Sequence, residues 1–384
     1  MLKTCIIGIS GYGRIHYDLL LQAQQAGKVA IVGATVINQA EEPDRCARLR
    51  ALGCRIFDDY REMLRQLSGV AEFCMIPTGT PLHRPMTVAA LEAGMHVLVE
   101  KPVAGCIEDV RAMQAAADSA GRTVAVGYQW LYTPAAQETK RHILQGTIGE
   151  VKGIKCLVMW PRNHDYYNRN GWAGKLSVDG VPVNDSPFNN AVAHDLMMML
   201  FQAGATGRLA ATPVSVEAEL YRANAIESAD TACMRIETAE GIPIRFYATH
   251  ACRENFGPEI HIRGARGSIV ISHNGSVIRP DEGAPIRYRV NGGEEARETM
   301  MASVLDALQG GDAFHCDLEM ASRQTMVVSR IHETCAIQSV QGETVISQDD
   351  VVSTFIPGIE AAMRQAFDNE TMLRLSVKGV DDVE

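Results

Sequence analysis

The ten cysteines include no CxxC pair. They are scattered at Cys5, Cys46, Cys54, Cys74, Cys106, Cys156, Cys233, Cys252, Cys316 and Cys335, which excludes zinc-ribbon and thioredoxin-type chemistry. Cys5 and Cys74 fall inside apolar runs, where a thiol behaves as a small hydrophobe. Reduced thiols throughout point to the cytoplasm. HExxH is missing and the 11 histidines show no ligand-like cluster, so no metal is expected. No Lys/Arg-rich run offsets the net charge of −10, which sets the surface against nucleic acid and anionic lipid. An anionic substrate therefore needs locally placed cations. No apolar stretch is long enough to span a bilayer; the best, AVAHDLMMMLFQAG at 191–204, is interrupted by His194 and Asp195. The opening Met1-Leu2-Lys3-Thr4 leads directly into a strand with no apolar h-region, so no signal peptide and no membrane association are expected. Internal repeats and low-complexity tracts are also missing.

What is present is a chain of 384 residues, longer than one core usually supports, so two domains are expected. The first part alternates strand and helix. TCIIGIS is followed by a helical pattern over Arg14–Ala26, and VAIVGATVI by one over Asp44–Leu52. CRIFDDY, AEFCMIP, HVLVEKP and TVAVGY are further strands, separated by REMLRQL, Leu82–Ala93 ending at Gly94, and Asp109–Ala120 ending at Gly121. Such alternation predicts a parallel, doubly wound sheet with its boundary near Gly127. The second domain, 128–384, starts with a helix over Pro134–Gln145 and the strand GEVKGIKCLVMW. A polar, aromatic loop at 161–190 and a helix at 190–203 follow. Then come VSVEAELYR, DTACMRIET, IPIRFYATHA, PEIHIRGARGSIVIS and IRYRV. Consecutive strands predict an open, mainly antiparallel sheet with helices on one face, an α+β domain. Helices are expected over Met301–Gln309 and Leu318–Ser339, and the closing VKGVDDVE is expected to be peripheral.

Gly8-Ile9-Ser10-Gly11-Tyr12-Gly13 joins the first strand to the first helix. A dinucleotide turn needs glycine at the tight bend, at the pyrophosphate and where helix meets strand; the helix N–H groups then hold the phosphates. Gly8 and Gly13 take the first and third places, and Ser10 stands in the second with Gly11 beside it. Tyr12 completes the turn. The ribose-reading position holds Asn38-Gln39, with Glu41 and Glu42 slightly later, so neither an NAD nor an NADP signature is present and the preference stays open.

These motifs together resemble the glucose–fructose oxidoreductase/inositol dehydrogenase/MocA-like family over nearly the whole chain. PTGTPLHRPMTVAALEAGMHVLVEKP at 77–102 is similar to that family's block ending in EKP, and QGTIGEVKGI at 145–154 to its entry into the second domain. The resemblance implies a Rossmann domain followed by an α/β domain with an open sheet. It also implies hydride transfer between NAD(P) and a sugar or polyol, and a homo-oligomer, dimer or tetramer. It places Pro77, Thr78, His83, Glu100 and Lys101 beside the cofactor. It implies a catalytic set of Lys101 with a D-x-x-x-H pair, matched here by Asn190 and His194, so that an amide replaces the carboxylate. Spacing of four is expected to put Asn190 and His194 on one helix face.

Oxidising a carbinol carbon requires a group to take the hydroxyl proton. His194 suits that role because imidazole titrates near neutrality, and Lys101 would hold the same oxygen. The bland readings are a helix histidine for His194 and, for Lys101, an ion pair with Glu100 or a surface lysine. His83 either shapes the nicotinamide side or caps a helix. Asp195 is either a surface charge or an indirect partner. Two of the chain's three tryptophans fall in the loop carrying Trp160, Arg162, Tyr167, Arg169, Trp172 and Lys175. Aromatic faces pack on sugar C–H surfaces while Arg, Lys and Asn bind hydroxyls; alternatively the loop packs on its own domain or on a neighbouring subunit. MMML at 197–200 reads as core. The expected activity is an NAD(P)-dependent dehydrogenase or reductase acting on a sugar, cyclitol or related polyhydroxy or keto compound. The alternatives are an NAD-dependent glycosidase working by oxidation and elimination, and a non-catalytic cofactor- or sugar-binding regulator.

Overall fold

β1 (Leu2–Ile7), α1 (Gly13–Gln25), β2 (Val29–Thr35), α2 (Pro43–Ala51), β3 (Arg55–Phe57), α3 (Tyr60–Leu67), β4 (Phe73–Ile76), α4 (Thr80–Glu92), β5 (His96–Val99), α5 (Ile107–Ala120) and β6 (Val124–Val126) alternate strictly. These elements come from a computed structural model that describes residues 1–376; the closing VKGVDDVE lies outside them. The strands form one sheet in the order β3-β2-β1-β4-β5-β6, all parallel. All four residues of β4 are fully buried, as expected where helices cover both faces of a parallel sheet. The strand order reverses between β1 and β4, so the crevice at their carboxyl ends is the switch point where such sheets bind ligands. Local signals set the helix ends. Asp59 accepts from the N–H groups of Arg61 and Glu62 at the start of α3, and Gly121 at φ 59° closes α5 in the left-handed conformation.

The chain continues through α6 (Pro134–Leu144), β7 (Val151–Met159), α7 (His164–Asn168), β8 (Ser177–Val178), β9 (Val181–Pro182) and α8 (Ala193–Ala203). Strands β10 (Pro213–Arg222), β11 (Thr231–Thr238), β12 (Ile244–Thr249), β13 (Phe256–Gly264), β14 (Gly267–Ser272), β15 (Gly275–Pro280) and β16 (Ile286–Arg289) follow. Then come α9 (Gly293–Leu308), α10 (Leu318–Thr334), β17 (Ile337–Ser339), β18 (Glu343–Ile346), β19 (Val352–Phe355) and α11 (Ile359–Asn369). The large sheet runs β16-β15-β14-β13-β7-β12-β11-β10-β17. Its pairs are antiparallel except β7–β12 and β10–β17, so the mainly antiparallel sheet is as the strand succession predicts. Every residue of α8 is buried, including the Met197–Met199 stripe. The buried Lys140 of α6 closes its end, donating to Phe201 O at 2.7 Å, Gln202 O at 3.3 Å and Gly204 O. A cation there meets the negative end of the helix dipole.

The structure departs from the sequence-based expectation in four places. Residues 294–322 form a compact unit with residues 1–132, while 133–293 and the segment from 323 onward form the other; a single cut at 127 does not capture that return. The returning backbone borders β6, with Val126 N–H donating to Cys316 O at 2.8 Å and Cys316 N–H donating to the Tyr132 hydroxyl at 2.9 Å. The helix expected over Leu318–Ser339 stops at Thr334, and Ile337–Ser339 joins the sheet beside β10. Helices do not keep to one face of the large sheet. Ile359, Met363 and Phe367 of α11 pack with Leu157, Met159 and Tyr247, while Asp195 of α8 acts on Cys156, whose side chain alternates to the opposite face of β7. Finally, α8 starts at Ala193, with Val192 as its N-cap.

Candidate active site

β1 leads into Gly8 at φ 94°, and Gly11 follows at φ 56°, conformations open to glycine at little cost. A Cβ on Gly13 would lie 2.8 Å from Gly8 O, so α1 approaches the strand as closely as it does only because that residue is glycine. The first turn of α1 has neither an acidic residue nor a side-chain cap. The positive end of its dipole therefore suits an anion over the turn, while the N–H groups of Gly13, Arg14 and Ile15 donate to Ser10 O, Gly11 O and Tyr12 O. Gly11 has open space where a Cβ would point, and Gly8 would meet only Thr78 Cγ2 at 3.8 Å. Thr78 and Pro77 follow β4 across the switch point. At the ribose end, Ser10 donates to Asn38 Oδ1 at 3.1 Å and Asn38 Nδ2 donates to Glu41 Oε2 at 2.9 Å.

Glu100 and Lys101 follow β5 in the same sheet. Glu100 is 4% exposed; its Oε1 lies 2.7 Å from His16 Nε2 of α1, and its Oε2 accepts the Lys101 N–H at 3.0 Å. Burial raises the pKa of the Glu100 carboxyl, but the hydrogen bond and charge of His16, followed by the charge and N–H of Lys101, outweigh it and hold the group below its ordinary value. Tyr12 lies against the same carboxylate, whose charge, with burial, pushes its phenol up. A Cβ on Gly127 would come within 2.5 Å of Glu100 Oε1, so the end of β6 leaves space for this group only as glycine. His83 is buried, with Nδ1 2.9 Å from Pro102 O and Nε2 3.0 Å from Thr78 O. It ties the segments after β4 and β5 together. Desolvation pulls its pKa down, and a neutral ring donates to only one of the two carbonyls.

The second unit holds the other part of the predicted set. Pro187–Asn189 form a 3₁₀ turn, and Asn190 follows it at φ −141°, ψ −87°. Asn190 therefore precedes α8 rather than sharing a helix face with His194, which is the second residue of that helix. The i to i+4 spacing misleads because Pro187 starts a separate turn. Asp195 is buried, with Oδ1 3.3 Å from His273 Nε2, so it is not a surface charge. The main feature the sequence reading missed is Asp185. Its Oδ1 accepts from Asn190 Nδ2 at 2.7 Å, and its Oδ2 accepts from Gly174 N–H at 2.6 Å and lies 3.8 Å from Arg169.

The segment 161–190 is more structured than a connection. Val181–Pro182 pairs with Ser177–Val178 through Asp179 at φ 49° and Gly180 at φ 78°, a primed hairpin turn announced by Asp-Gly. His164 Nε2 lies 2.9 Å from the Thr354 hydroxyl of β19. The Arg162 guanidinium sits 4.9 Å from the Tyr166 ring centroid; Arg169 lies 3.8 Å from the same ring and 5.2 Å from that of Trp172. Tyr167 stands edge-on to Tyr166, and its phenol is pushed up first by burial and then by Asp230. Lys175 is exposed. Trp160 borders this cluster, with the Arg162 guanidinium 5.6 Å from its ring centroid; its Nε1 donates to Gly257 O at 3.0 Å and its ring packs against His273. Among the described residues, no group of three His, Cys, Asp or Glu is placed to hold a metal ion, and no helix is long and apolar enough to cross a membrane.

The chain is 25% identical over 189 residues to the inositol 2-dehydrogenase/D-chiro-inositol 3-dehydrogenase of Halalkalibacterium halodurans, covering 48% of this chain and 49% of that protein. It is 31% identical over 150 residues to the D-apiose dehydrogenase of Paraburkholderia graminis, covering 38% and 37%. The chain thus spans about half the length, or less, of these curated relatives. Among solved structures, the WlbA dehydrogenase of Bordetella pertussis, in complex with NADH and UDP-GlcNAcA, superposes with a TM-score of 0.73 at 23% identity over 92% of this chain and 99% of that one. Levoglucosan dehydrogenase in complex with NADH gives 0.71 at 19% identity over 86% and 96%; both show the shared fold. Residues 2–128 match the oxidoreductase family with NAD-binding Rossmann fold, and residues 136–270 match the GFO/IDH/MocA C-terminal domain. With both matches in sequence order and together spanning more than half of the chain, the protein belongs to the GFO/IDH/MocA oxidoreductase family.

Proposed function

We propose that the protein is a nicotinamide-dependent dehydrogenase or reductase acting on a secondary alcohol, or the matching ketone, of a sugar, cyclitol or related polyhydroxy compound. One observation carries this reading: the His16–Glu100 pair fixes the backbone of Lys101 at the carboxyl end of β5, in the sheet whose β1/β4 switch point bears the uncapped glycine turn. Gly8, Ser10, Gly11, Tyr12 and Gly13 hold the pyrophosphate, and the bound nicotinamide supplies the hydride acceptor or donor. In the oxidative direction His194 takes the hydroxyl proton, and the Lys101 ammonium stabilises the developing alkoxide. His194 stands in the first turn of α8, the helix that follows the Pro187–Asn189 turn. Arg162, Arg169, Trp172 and Lys175 form the substrate wall. The dehydrogenase relatives named above favour carbohydrate-like substrates.

The cofactor we assign is NAD rather than NADP. Glu41 ends the Ser10–Asn38–Glu41 chain as an exposed carboxylate. The nearby guanidiniums are engaged, Arg45 by Glu42 and Arg50 by Gln39. A carboxylate there accepts from a 2′-hydroxyl and repels a 2′-phosphate.

The deciding experiment is a panel of sugars, inositols, uronates and keto-sugars, assayed with NAD(H) and NADP(H) by nicotinamide absorbance. Turnover of one class with NAD(H) is expected. Release of an aglycone with no net absorbance change would move the reading to an oxidation–elimination glycosidase. Calorimetric binding of neither dinucleotide would end it.

A further inference from the structure

We propose that Arg297 of α9 is a cofactor-binding residue: its guanidinium stands over the glycine turn and binds the pyrophosphate of the dinucleotide. This rests on the cofactor reading given above. The turn by itself is a limited anion site. The N–H groups of Gly13, Arg14 and Ile15 are occupied by carbonyls of the turn, and among the described residues those of Ser10, Gly11 and Tyr12 are left without a protein acceptor. The turn also stands beside a buried negative charge. Glu100 is held as the carboxylate, and its charge reaches the Tyr12 hydroxyl. A pyrophosphate placed there meets a like charge on a chain whose net charge is already −10, and a cation beside the turn offsets that repulsion.

Arg297 is placed to be that cation. Residues 294–322 pack with residues 1–132, and α9 brings Arg297 beside the Tyr12 hydroxyl, on which it acts by charge and by a hydrogen bond. Ala296 and Met300 of the same helix are buried and anchor it to the first unit. Tyr12 is the N-cap of α1 and is 43% exposed, so Arg297 meets it at the open side of the turn and not in the core. The charge of Glu100, with burial, keeps the phenol protonated, and its oxygen accepts from the guanidinium. Arg297 is otherwise uncompensated: Glu294 and Glu298 beside it in α9 are exposed, and among the described residues no carboxylate pairs with it. Arg45 and Arg50, by contrast, are held by Glu42 and Gln39. The planar fork of a guanidinium matches two phosphate oxygens at once. The return of residues 294–322 thus supplies the first unit with a cation at its dinucleotide turn.

Calorimetric titration of wild type, Arg297→Met, Arg297→Lys and Arg14→Met with NADH and with ADP-ribose tests the proposal. ADP-ribose carries the pyrophosphate and lacks the nicotinamide. Arg297→Met keeps an apolar stem on α9 and removes the charge, so its Tm should change little. Its affinity for NADH and for ADP-ribose should fall by the same factor, about 10–100-fold, the range of a lost hydrogen bond to a charged group. Arg297→Lys keeps the charge without the fork and should recover part of that loss; it also serves as the probe if Arg297→Met does not fold. Added salt should weaken NADH binding to wild type more than to Arg297→Met, because it screens the removed contact. Arg14→Met, which removes the exposed arginine in the first turn of α1, should change affinity less than Arg297→Met. If folded Arg297→Met binds both ligands like wild type, Arg297 only fastens α9 to Tyr12 and the proposal is wrong. It is also wrong if NADH binding weakens while ADP-ribose binding does not, or if Arg14→Met carries the loss instead. If wild type binds neither ligand, the fault lies in the cofactor reading, and the role of Arg297 falls with it.

Discussion

His16 of α1 and Glu100, which follows β5, meet at 2.7 Å with both side chains at most 4% exposed. The pair spans the base of the glycine turn and carries the residue before Lys101. Removing the imidazole alone strands a buried carboxylate, so His16→Ala should cost about 3–5 kcal/mol. Glu100→Gln keeps the shape and one acceptor and should cost about 1–3 kcal/mol. The double variant should cost less than the sum, because the charge left stranded by the first change is gone. Because the folded pKa of Glu100 is depressed, its contribution is present above the ordinary carboxylate range and is lost as pH falls through the depressed folded value. Urea unfolding of the four proteins at neutral and acid pH measures each quantity.

Glu41 sets the second prediction. Glu41→Arg removes the carboxylate that repels a 2′-phosphate and adds a guanidinium that binds one bidentately. The ratio of NADP(H) to NAD(H) affinity should rise by about tenfold or more, equivalent to about 1.4 kcal/mol, read from calorimetric titrations. Asn38→Asp is a poorer probe in this chain. It would place a new carboxylate at the 2.9 Å contact now made with Glu41 and introduce a repulsion unrelated to cofactor choice.

His250 governs part of the acid response. It is 2% exposed, its Nδ1 lies 2.9 Å from Trp160 O, and burial, followed by the charge of Arg162, pulls its pKa down from 6.5 to about 3. The unfolded chain therefore binds this proton first. The stability it contributes is complete above about pH 6.5 and declines as pH falls from there toward about 3, at no more than about 1.4 kcal/mol per pH unit for one group. His250→Asn keeps a donor toward Trp160 O and abolishes the titration. The difference in unfolding free energy between variant and wild type should narrow between pH 7 and pH 4. A constant difference would assign the acid response to other groups.

The parallel sheet was legible because each strand is a short apolar run and each helix carries its own stop, such as Gly94 or Gly121. The dinucleotide turn was legible because its chemistry is local, with Gly8 and Gly13 five residues apart. What escaped depends on contacts distant in sequence. α9 is amphipathic whichever unit it packs on, so its pattern does not reveal its return to the first. Ile337–Ser339 is too short to show a strand period. Asp185 lies in a polar stretch, and only the 3₁₀ turn at Pro187–Asn189 folds it back onto Asn190. The Asp179-Gly180 hairpin was a readable signal that the length of the loop obscured.

Trp172 provides the final prediction. Arg169 lies between its ring and that of Tyr166, and Arg169 also reaches Asp185 at 3.8 Å. The aromatic group thus reaches the Asp185 carboxylate, to which Asn190 Nδ2 also donates, and a substrate ring stacked on Trp172 would lie beside that group. Trp172→Ala removes the stacking face and one wall around Arg169. KM should rise by about tenfold, the scale of one lost aromatic contact of about 1.4 kcal/mol. The loss of kcat should be smaller, arising only from looser alignment of the reacting carbon. NADH affinity should not move, because the dinucleotide turn belongs to the other unit. If the loop instead packs on a neighbouring subunit, the same variant would change the mass measured by light scattering and leave the kinetics of the remaining oligomer intact. That result would remove Trp172 and Arg169 from the substrate wall.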